Sequence, residues 1–384
     1  MDTFIYNKSV TGKNHLGRKA EATILRNLLC QGENIVIYEP PKAGKTSLVQ
    51  QTLYNMRIEG KSHALAEQSL LGCRRVEDAV CLIAGKVIRT FATTPSEYAA
   101  AVREFLPDTH FVFDLEVFQH TDRIVSMNWE MDEDDLRAVL TLPYRFSAAK
   151  GSQMLIVLLE EFQNIMLCDR GEWFCKVFEQ VLKTAGPEWH SSACWIFCGS
   201  QFNAMKEIFD VQRYFYRCVE RVALKPVENK EILEHIVKGF LSTGKVVDRD
   251  LMLGVCNRFK GNLWYINHFC SICDSLSKGY IMEPVLVEAL DSLLAIHQPR
   301  FIATMNDLTT FQVQLLKAIV DGYTKFSSAE VIRKYGLNSS ANVRRLKDAL
   351  NKKEIVTFDE NDDPHIIDPL FEYWITTYFF NQKL

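Results

Sequence analysis

Glu39-Pro-Pro-Lys-Ala-Gly-Lys-Thr46, set between the β-branched run Asn34-Ile-Val-Ile-Tyr38 and the helix-compatible Ser47-Leu-Val-Gln-Gln-Thr-Leu-Tyr54, decides the fold. A short strand that runs through a Gly-Lys-Thr turn into a helix is the arrangement that cradles phosphate. Backbone N–H groups at the helix N-terminus receive phosphate oxygens, the lysine reaches the β- and γ-phosphates, and the hydroxyl holds Mg²⁺. The segment Pro41, Lys42, Ala43, Gly44, Lys45, Thr46 and Ser47 is therefore the candidate nucleotide cradle, with ATP as ligand, Lys45 also as a catalytic cation and Thr46 as a metal ligand. One position departs from the G-x-x-x-x-G-K-[ST] pattern. Its first glycine is Glu39, which puts a negative charge at the loop entrance and makes a positive φ expensive there.

Further along, Met154-Leu-Ile-Val-Leu-Leu159 is a continuous apolar run of strand length, as expected of a strand buried on both faces of a parallel sheet. It ends in Glu160-Glu161-Phe162-Gln163, two carboxylates at the carboxyl end of a buried strand, where an open α/β sheet binds its ligand. Glu160 suits the Mg²⁺ shell, and Glu161 suits the positioning or deprotonation of an attacking water. A third apolar run, Ala193-Cys-Trp-Ile-Phe-Cys198, ends in Gly199-Ser200-Gln201. If its strand neighbours the second, Ser200 or Gln201 comes beside the carboxylates and can sense the γ-phosphate.

Strands separated by helices give an α/β class with a doubly wound parallel sheet, spanning residues 1–226. Within it, an amphipathic helix opens at Leu16-Gly-Arg-Lys-Ala-Glu21 and closes at Gly32. Helices are expected near Val76 to Phe91 and Ser96 to Phe105, and a strand near Phe111 to Leu115. After Leu224-Lys-Pro226 the strand signals stop. Helical periodicity near Glu228–Leu241, Arg249–Phe259, Leu263–Leu276 and Glu283–Ala303 predicts an all-helical lid domain over 227–305. Residues 306–384 carry a helix near Phe311 to Val320, a Ser327-Ser-Ala-Glu330 capping box and a helix near Ala341 to Asn351. A hairpin pairing Ile355–Phe358 with His365–Ile367 completes a winged helix-turn-helix.

Composition narrows the function classes. The chain has 384 residues, 47% of them hydrophobic, and a formal net charge of -4, so no overall positive field draws it to nucleic acid or to anionic membrane. Neither a signal-peptide layout nor a run of about 18 apolar residues is present, which makes the cytoplasm the expected compartment and a membrane partner unexpected. Eleven scattered cysteines do not form a disulfide framework, and the one close pair, Cys270-Ser-Ile-Cys273, falls on an apolar helical stretch where core packing is expected over a metal.

Taken together, these motifs resemble the archaeal-type ATPase family of the STAND branch of AAA+ P-loop NTPases, found in archaea and Bacteroidetes. Leu16-Gly-Arg-Lys-Ala-Glu21 is similar to the family's Gly-Arg-x-x-Glu opening, and Pro40-Pro-Lys-Ala-Gly-Lys-Thr-Ser-Leu48 to its Pro-Arg-Arg-x-Gly-Lys-Thr-Ser-Leu loop. Glu160-Glu-Phe-Gln163 is similar to its Asp-Glu-Phe-Gln, with Cys198-Gly-Ser200, Leu224-Lys-Pro226 and Asp368-Pro-Leu-Phe-Glu-Tyr-Trp374 as further matches. The resemblance implies an ATPase using Mg²⁺, with nucleotide at the seam of α/β domain and lid. Besides Glu39 and Glu160, two segments differ. Gly261-Asn-Leu-Trp-Tyr265 stands where the family has Gly-His-Pro and an aromatic residue, so the lid proline is replaced by Leu263. Phe215-Tyr-Arg217 stands where it has Tyr-Gly-Arg, which leaves open whether Arg217 serves as an arginine finger.

Three functions follow: a slow ATPase acting as a nucleotide-driven conformational switch, a DNA-binding regulator with a secondary nucleotide site, and a pseudo-ATPase that holds nucleotide structurally. The expected partners are ATP and ADP, and a protein or second copy engaged through lid and winged helix. DNA binding is expected to be weak at most. Arg344, Arg345, Lys347, Lys352 and Lys353 make one helix basic, but Asp359, Glu360, Asp362 and Asp363 make the wing acidic, and 307–384 holds 10 basic against 11 acidic residues.

Overall fold

The structure, a computed structural model, describes every residue except 1–2, 151–152, 187–188, 190–191 and 383–384; the extreme ends of the first and last sequence segments thus lie outside the described residues. The chain divides into two compact units. One comprises Lys19–Glu39 and Leu48–Leu224, the other Met1–Arg18, Pro40–Ser47 and Lys225–Leu384.

In the first unit the strands, in chain order, are β1 (Ile35–Tyr38), β2 (His63–Ser69), the short β3 (Phe111–Val112) and β4 (Ser126–Met127), β5 (Met154–Glu160), β6 (Ala193–Gly199) and β7 (Glu220–Arg221). Five of them form one sheet in the order β2-β5-β6-β1-β7 with every pairing parallel. Side chains alternate across a strand, so successive residues feed opposite cores. Val157, Leu159, Trp195 and Phe197 join one core with the helices Val76–Arg89, Glu133–Lys150 and Gly171–Thr184. Ile35, Ile37, Ile156, Leu158 and Ile196 join the other with Leu25 and Leu29 of Lys19–Gln31, and with Leu48, Val49, Leu53 and Met56. Helices on both faces explain why the three central strands carry no polar alternation.

Two elements here differ from the sequence expectation. The edge strand β2 has no counterpart in it, because His63–Ser69 is only half buried and mixes apolar with polar residues. The strand expected over Phe111 to Leu115 is cut to two residues, because Asp114 accepts a hydrogen bond from Val117 N at 3.0 Å and caps a helix over Leu115–Thr121.

The second unit holds the helices Asn229–Ser242, Arg249–Arg258, Leu263–Leu276 and Glu283–Asn306, then Thr310–Val320, Ala329–Tyr335, Ser340–Lys352 and Pro369–Trp374. Asp248 and Asn262 cap the second and third of these. A two-residue parallel pair, β8 (Val246–Val247) with β9 (Tyr280–Ile281), interrupts the expected all-helical stretch. The wing is β10 (Val356–Phe358) antiparallel to β11 (Pro364–Ile366). The cap of the helix Ala329–Tyr335 differs by a residue from the sequence reading: Ser328, not Ser327, accepts from Val331 N at 3.3 Å, and a full capping box forms instead at Thr309 with Gln312 on the preceding helix. One core runs from Ile232, Phe259 and Phe269 through Phe301 to Leu346, Phe371 and Trp374, so the lid helices and the winged helix are packed as a single body. Cys270 and Cys273 both lie in that core, where burial drives their thiols up, Cys273 to about 12.

Candidate functional site

Because the sheet is parallel, the carboxyl ends of β1, β5 and β6 lie along one edge, with Tyr38 paired to Gly199 and Leu159 to Phe197. The chain leaves β1 at Tyr38, turns through Glu39 to Gly44 and enters the helix Lys45–Ile58. Glu39 does not take a left-handed conformation. The positive φ values fall on Lys42 at 67° and Gly44 at 93°, so the missing first glycine costs no backbone strain. Glu39 instead uses its carboxylate to accept the backbone N–H of Leu224 at 3.1 Å.

In the loop, Lys45 Nζ donates to Pro40 O at 3.0 Å and Arg18 Nη1 donates to Ala43 O at 2.6 Å. A Cβ at Gly44 would stand 2.9 Å from that arginine nitrogen, a second reason besides φ for glycine there. Ser47 Oγ accepts from Val10 N at 3.2 Å, tying the chain's opening segment to the loop, and Thr46 is half-buried one residue before it. Sequence alone does not mark Arg18 as a site residue; its one signal is its place in Gly17-Arg18-Lys19-Ala20-Glu21.

Lys42 supplies a feature the sequence reading did not contain. Its ammonium lies 3.5 Å from the centroid of the Trp264 ring and 5.4 Å from that of Tyr265, a cation–π arrangement. Tyr265 OH donates to Asp368 at 2.8 Å, and Arg300 pairs with Asp368 at 2.7 Å, so this contact continues to the residue that caps the final helix. Tyr6 stacks on His268 at 4.0 Å and meets Trp264 edge-on, and a cavity of about 100 Å³ lies among Tyr6, Lys8, Lys42, Gly44, Trp264 and Asn267. Trp264, one residue after Leu263, therefore presents an aromatic face to the Lys42 ammonium. Desolvation, together with the Arg300 charge, pushes Lys42 down to about 8. Burial and the Lys42 charge lower His268 and bring His297 to about 4, leaving both rings neutral at pH 7. Lys42 should thus lose its proton as pH rises through about 8. We expect Trp264 emission to change with that midpoint and the change to vanish in Lys42→Met; a wild-type titration flat to pH 10 would contradict the contact.

At the other strand ends, Glu160 and Glu161 close β5. Glu67 on β2 has its carboxyl raised by desolvation and by the charge of Glu160, which marks a crowded, electronegative strand end. Adjacent β6 brings Ser200 to Glu161: Ser200 Oγ donates to Glu161 Oε2 at 2.6 Å, and Gln163 Nε2 donates to the same atom at 2.6 Å. The β5–β6 adjacency on which the Ser200 expectation depended is present. Gln201 continues the chain beyond Ser200 and is exposed. Gln163 stands in the Glu160-Glu-Phe-Gln163 segment, where sequence alone assigns it no role. Gly199 leaves room for it. A Cβ there would stand 2.7 Å from Gln163 Oε1 and overlap the Met205 side chain. Gly199→Ala is expected to destabilise the protein by about 1–3 kcal/mol through overpacking, read as a lower urea midpoint; an unchanged midpoint would mean this corner repacks freely.

Arg217 is exposed, with φ 60° and its guanidinium 5.2 Å from the Tyr216 ring. On the winged helix, Lys347 pairs with Asp362 of the wing and Lys353 with Asp307, while Arg344 and Arg345 remain exposed. No helix among the described residues is long and apolar enough to cross a membrane.

A family model described as a probable winged helix domain matches residues 299–377. No curated protein matches the chain in sequence. Among solved structures, a Walker-type ATPase of Pyrococcus abyssi is similar with a TM-score of 0.66 at 15% identity, over 97% of this chain and 99% of that one. The ORC2 protein of Aeropyrum pernix, solved as ADPNP–ADP complexes, is similar with a TM-score of 0.59 at 13% identity, over 96% of this chain and 93% of its own. At such identities the likeness speaks for architecture. The chain has the fold of a P-loop ATPase: a doubly wound parallel sheet, helices after it and a winged helix at its C-terminal end.

Proposed function

We propose that this protein binds ATP with Mg²⁺, hydrolyses it slowly and uses the cycle as a conformational switch, as a member of the STAND branch acting in the cytoplasm. Three parts share the work: an ATPase part over 1–226, a lid over 227–305 and a winged-helix output over 306–384. The observation that carries the reading is Glu161, held at the edge of a P-loop sheet by the hydroxyl of Ser200 at 2.6 Å. A carboxylate fixed in orientation at that edge is what activation of a water requires.

The residue roles follow from chemistry. The segment Pro41 to Ser47 receives the phosphates, Lys45 neutralises charge on the γ-phosphate, and Ser200 senses it. Thr46 and Glu160 are the metal ligands; hydroxyl and carboxylate oxygens are the donor set a hard cation takes, and the crowding of Glu160 against Glu67 gives that end of the sheet a use for positive charge. Bound there, Mg²⁺ would neutralise the charge that develops on the transferred phosphoryl group. The lid and the winged helix share one core, so a nucleotide-dependent change in the lid is carried to the winged helix as a rigid body.

We favour a protein, or a second copy of the chain, over DNA as the partner of the winged helix. Lys347 and Lys353 are already paired with carboxylates, leaving Arg344, Arg345 and Lys352 exposed on that helix beside an acidic wing. The test of the reading is the melting temperature with and without Mg·ATP, together with phosphate release. A rise of several degrees with slow release is expected, and an unchanged melting temperature at millimolar Mg·ATP would contradict it.

A further inference from the structure

Glu161 has a left-handed backbone, φ 54°, which a non-glycine residue keeps only where its surroundings hold it. Gln163 is one of the two side chains that hold it, and it does so from the interior, at 3% exposure. Only an amide nitrogen can donate to a carboxylate, so the contact to Glu161 Oε2 dictates which way the amide points. Its Oε1 then faces the Gly199 side, buried and with no hydrogen-bond partner. A buried, unpaired acceptor is unfavourable, and methionine would fill a similar volume without one. What glutamine supplies there and methionine does not is the N–H on Glu161.

We infer that Gln163 is a positioning residue for hydrolysis, acting through Glu161; this rests on the ATPase reading above. Gln163 and Ser200 together saturate Oε2, which directs the proton of the attacking water to Oε1 of the same carboxylate. The water oxygen forms its bond to the γ-phosphorus, the bond from that phosphorus to the β–γ bridging oxygen breaks, and ADP and phosphate leave, with the water proton on Glu161. On the reading above Ser200 has a competing acceptor in the γ-phosphate, whereas Gln163 is buried, so Gln163 keeps Glu161 oriented when the serine turns to substrate.

The test is steady-state hydrolysis by the full chain carrying Gln163→Met, with Gln163→Asn, which keeps the amide but loses reach, as the second variant should methionine disturb packing. Expected is a fall in kcat of at least about tenfold in both, with KM for Mg·ATP within about twofold and the melting temperature unchanged. Placed in a Glu161→Gln background, Gln163→Met should add no further loss, because the two act as one unit. Unchanged kcat, a rise in KM alone, or fully multiplicative losses in the double variant would each overturn the inference while leaving the ATPase reading standing. A wild type that binds Mg·ATP but never releases phosphate would overturn both, and that outcome is visible in the control before any variant is compared.

Discussion

Glu161→Gln should lower kcat by a factor of about 10²–10⁴, the usual contribution of a positioned general base, while Mg·ATP still binds. The glutamine keeps the shape of the side chain and an oxygen able to accept from Ser200 Oγ, now 2.6 Å from Oε2, but it cannot take a proton from water. Glu160→Gln should behave differently. Its neighbour Glu67 already feels its charge, and removing that charge from a metal ligand should weaken ATP binding in the presence of Mg²⁺ more than in its absence. Phosphate release and ATP titrations on the two variants separate the roles. Wild-type turnover in Glu161→Gln would remove it from the chemistry.

The second large effect is expected for Lys45→Ala. Ligand at about 100 times its Kd is worth about 2.7 kcal/mol of apparent stability, which is a shift of several degrees in a protein of this size. Lys45 donates to a loop carbonyl, Pro40 O at 3.0 Å, and is only half-buried, so the variant should fold. Its melting temperature should no longer respond to Mg·ATP. A shift equal to the wild type's would place the nucleotide away from this loop.

What was legible in the sequence was whatever local chemistry dictates. Gly44-Lys45-Thr46 between a β-branched run and a helix needs no tertiary information, because phosphate binding by backbone N–H groups sets both residue types and spacing. The central strands announced themselves through continuous burial, as in Met154 to Leu159, all of which feed one core or the other. The edge strand β2 did not, since only one side of such a strand is paired and His63–Ser69 is half polar. Capping was legible to within a residue: Ser327 and Ser328 offer the same hydroxyl, and only backbone geometry selects the second. The positive φ expected to trouble Glu39 is taken by Lys42 and Gly44. The roles of Gln163, Arg18 and Lys42 depend on contacts to Glu161, Ala43 and Trp264, and such pairings have no periodicity from which to read them.

The central claim, that this loop is a working nucleotide site, is tested most directly by calorimetric titration of the wild-type chain with ATP, in the presence of Mg²⁺ and again in EDTA. The account predicts saturable binding at one site per chain, tighter with Mg²⁺ than without it. Absence of saturable binding up to millimolar ATP in both conditions would contradict it, and would leave the P-loop of this chain as architecture without a ligand.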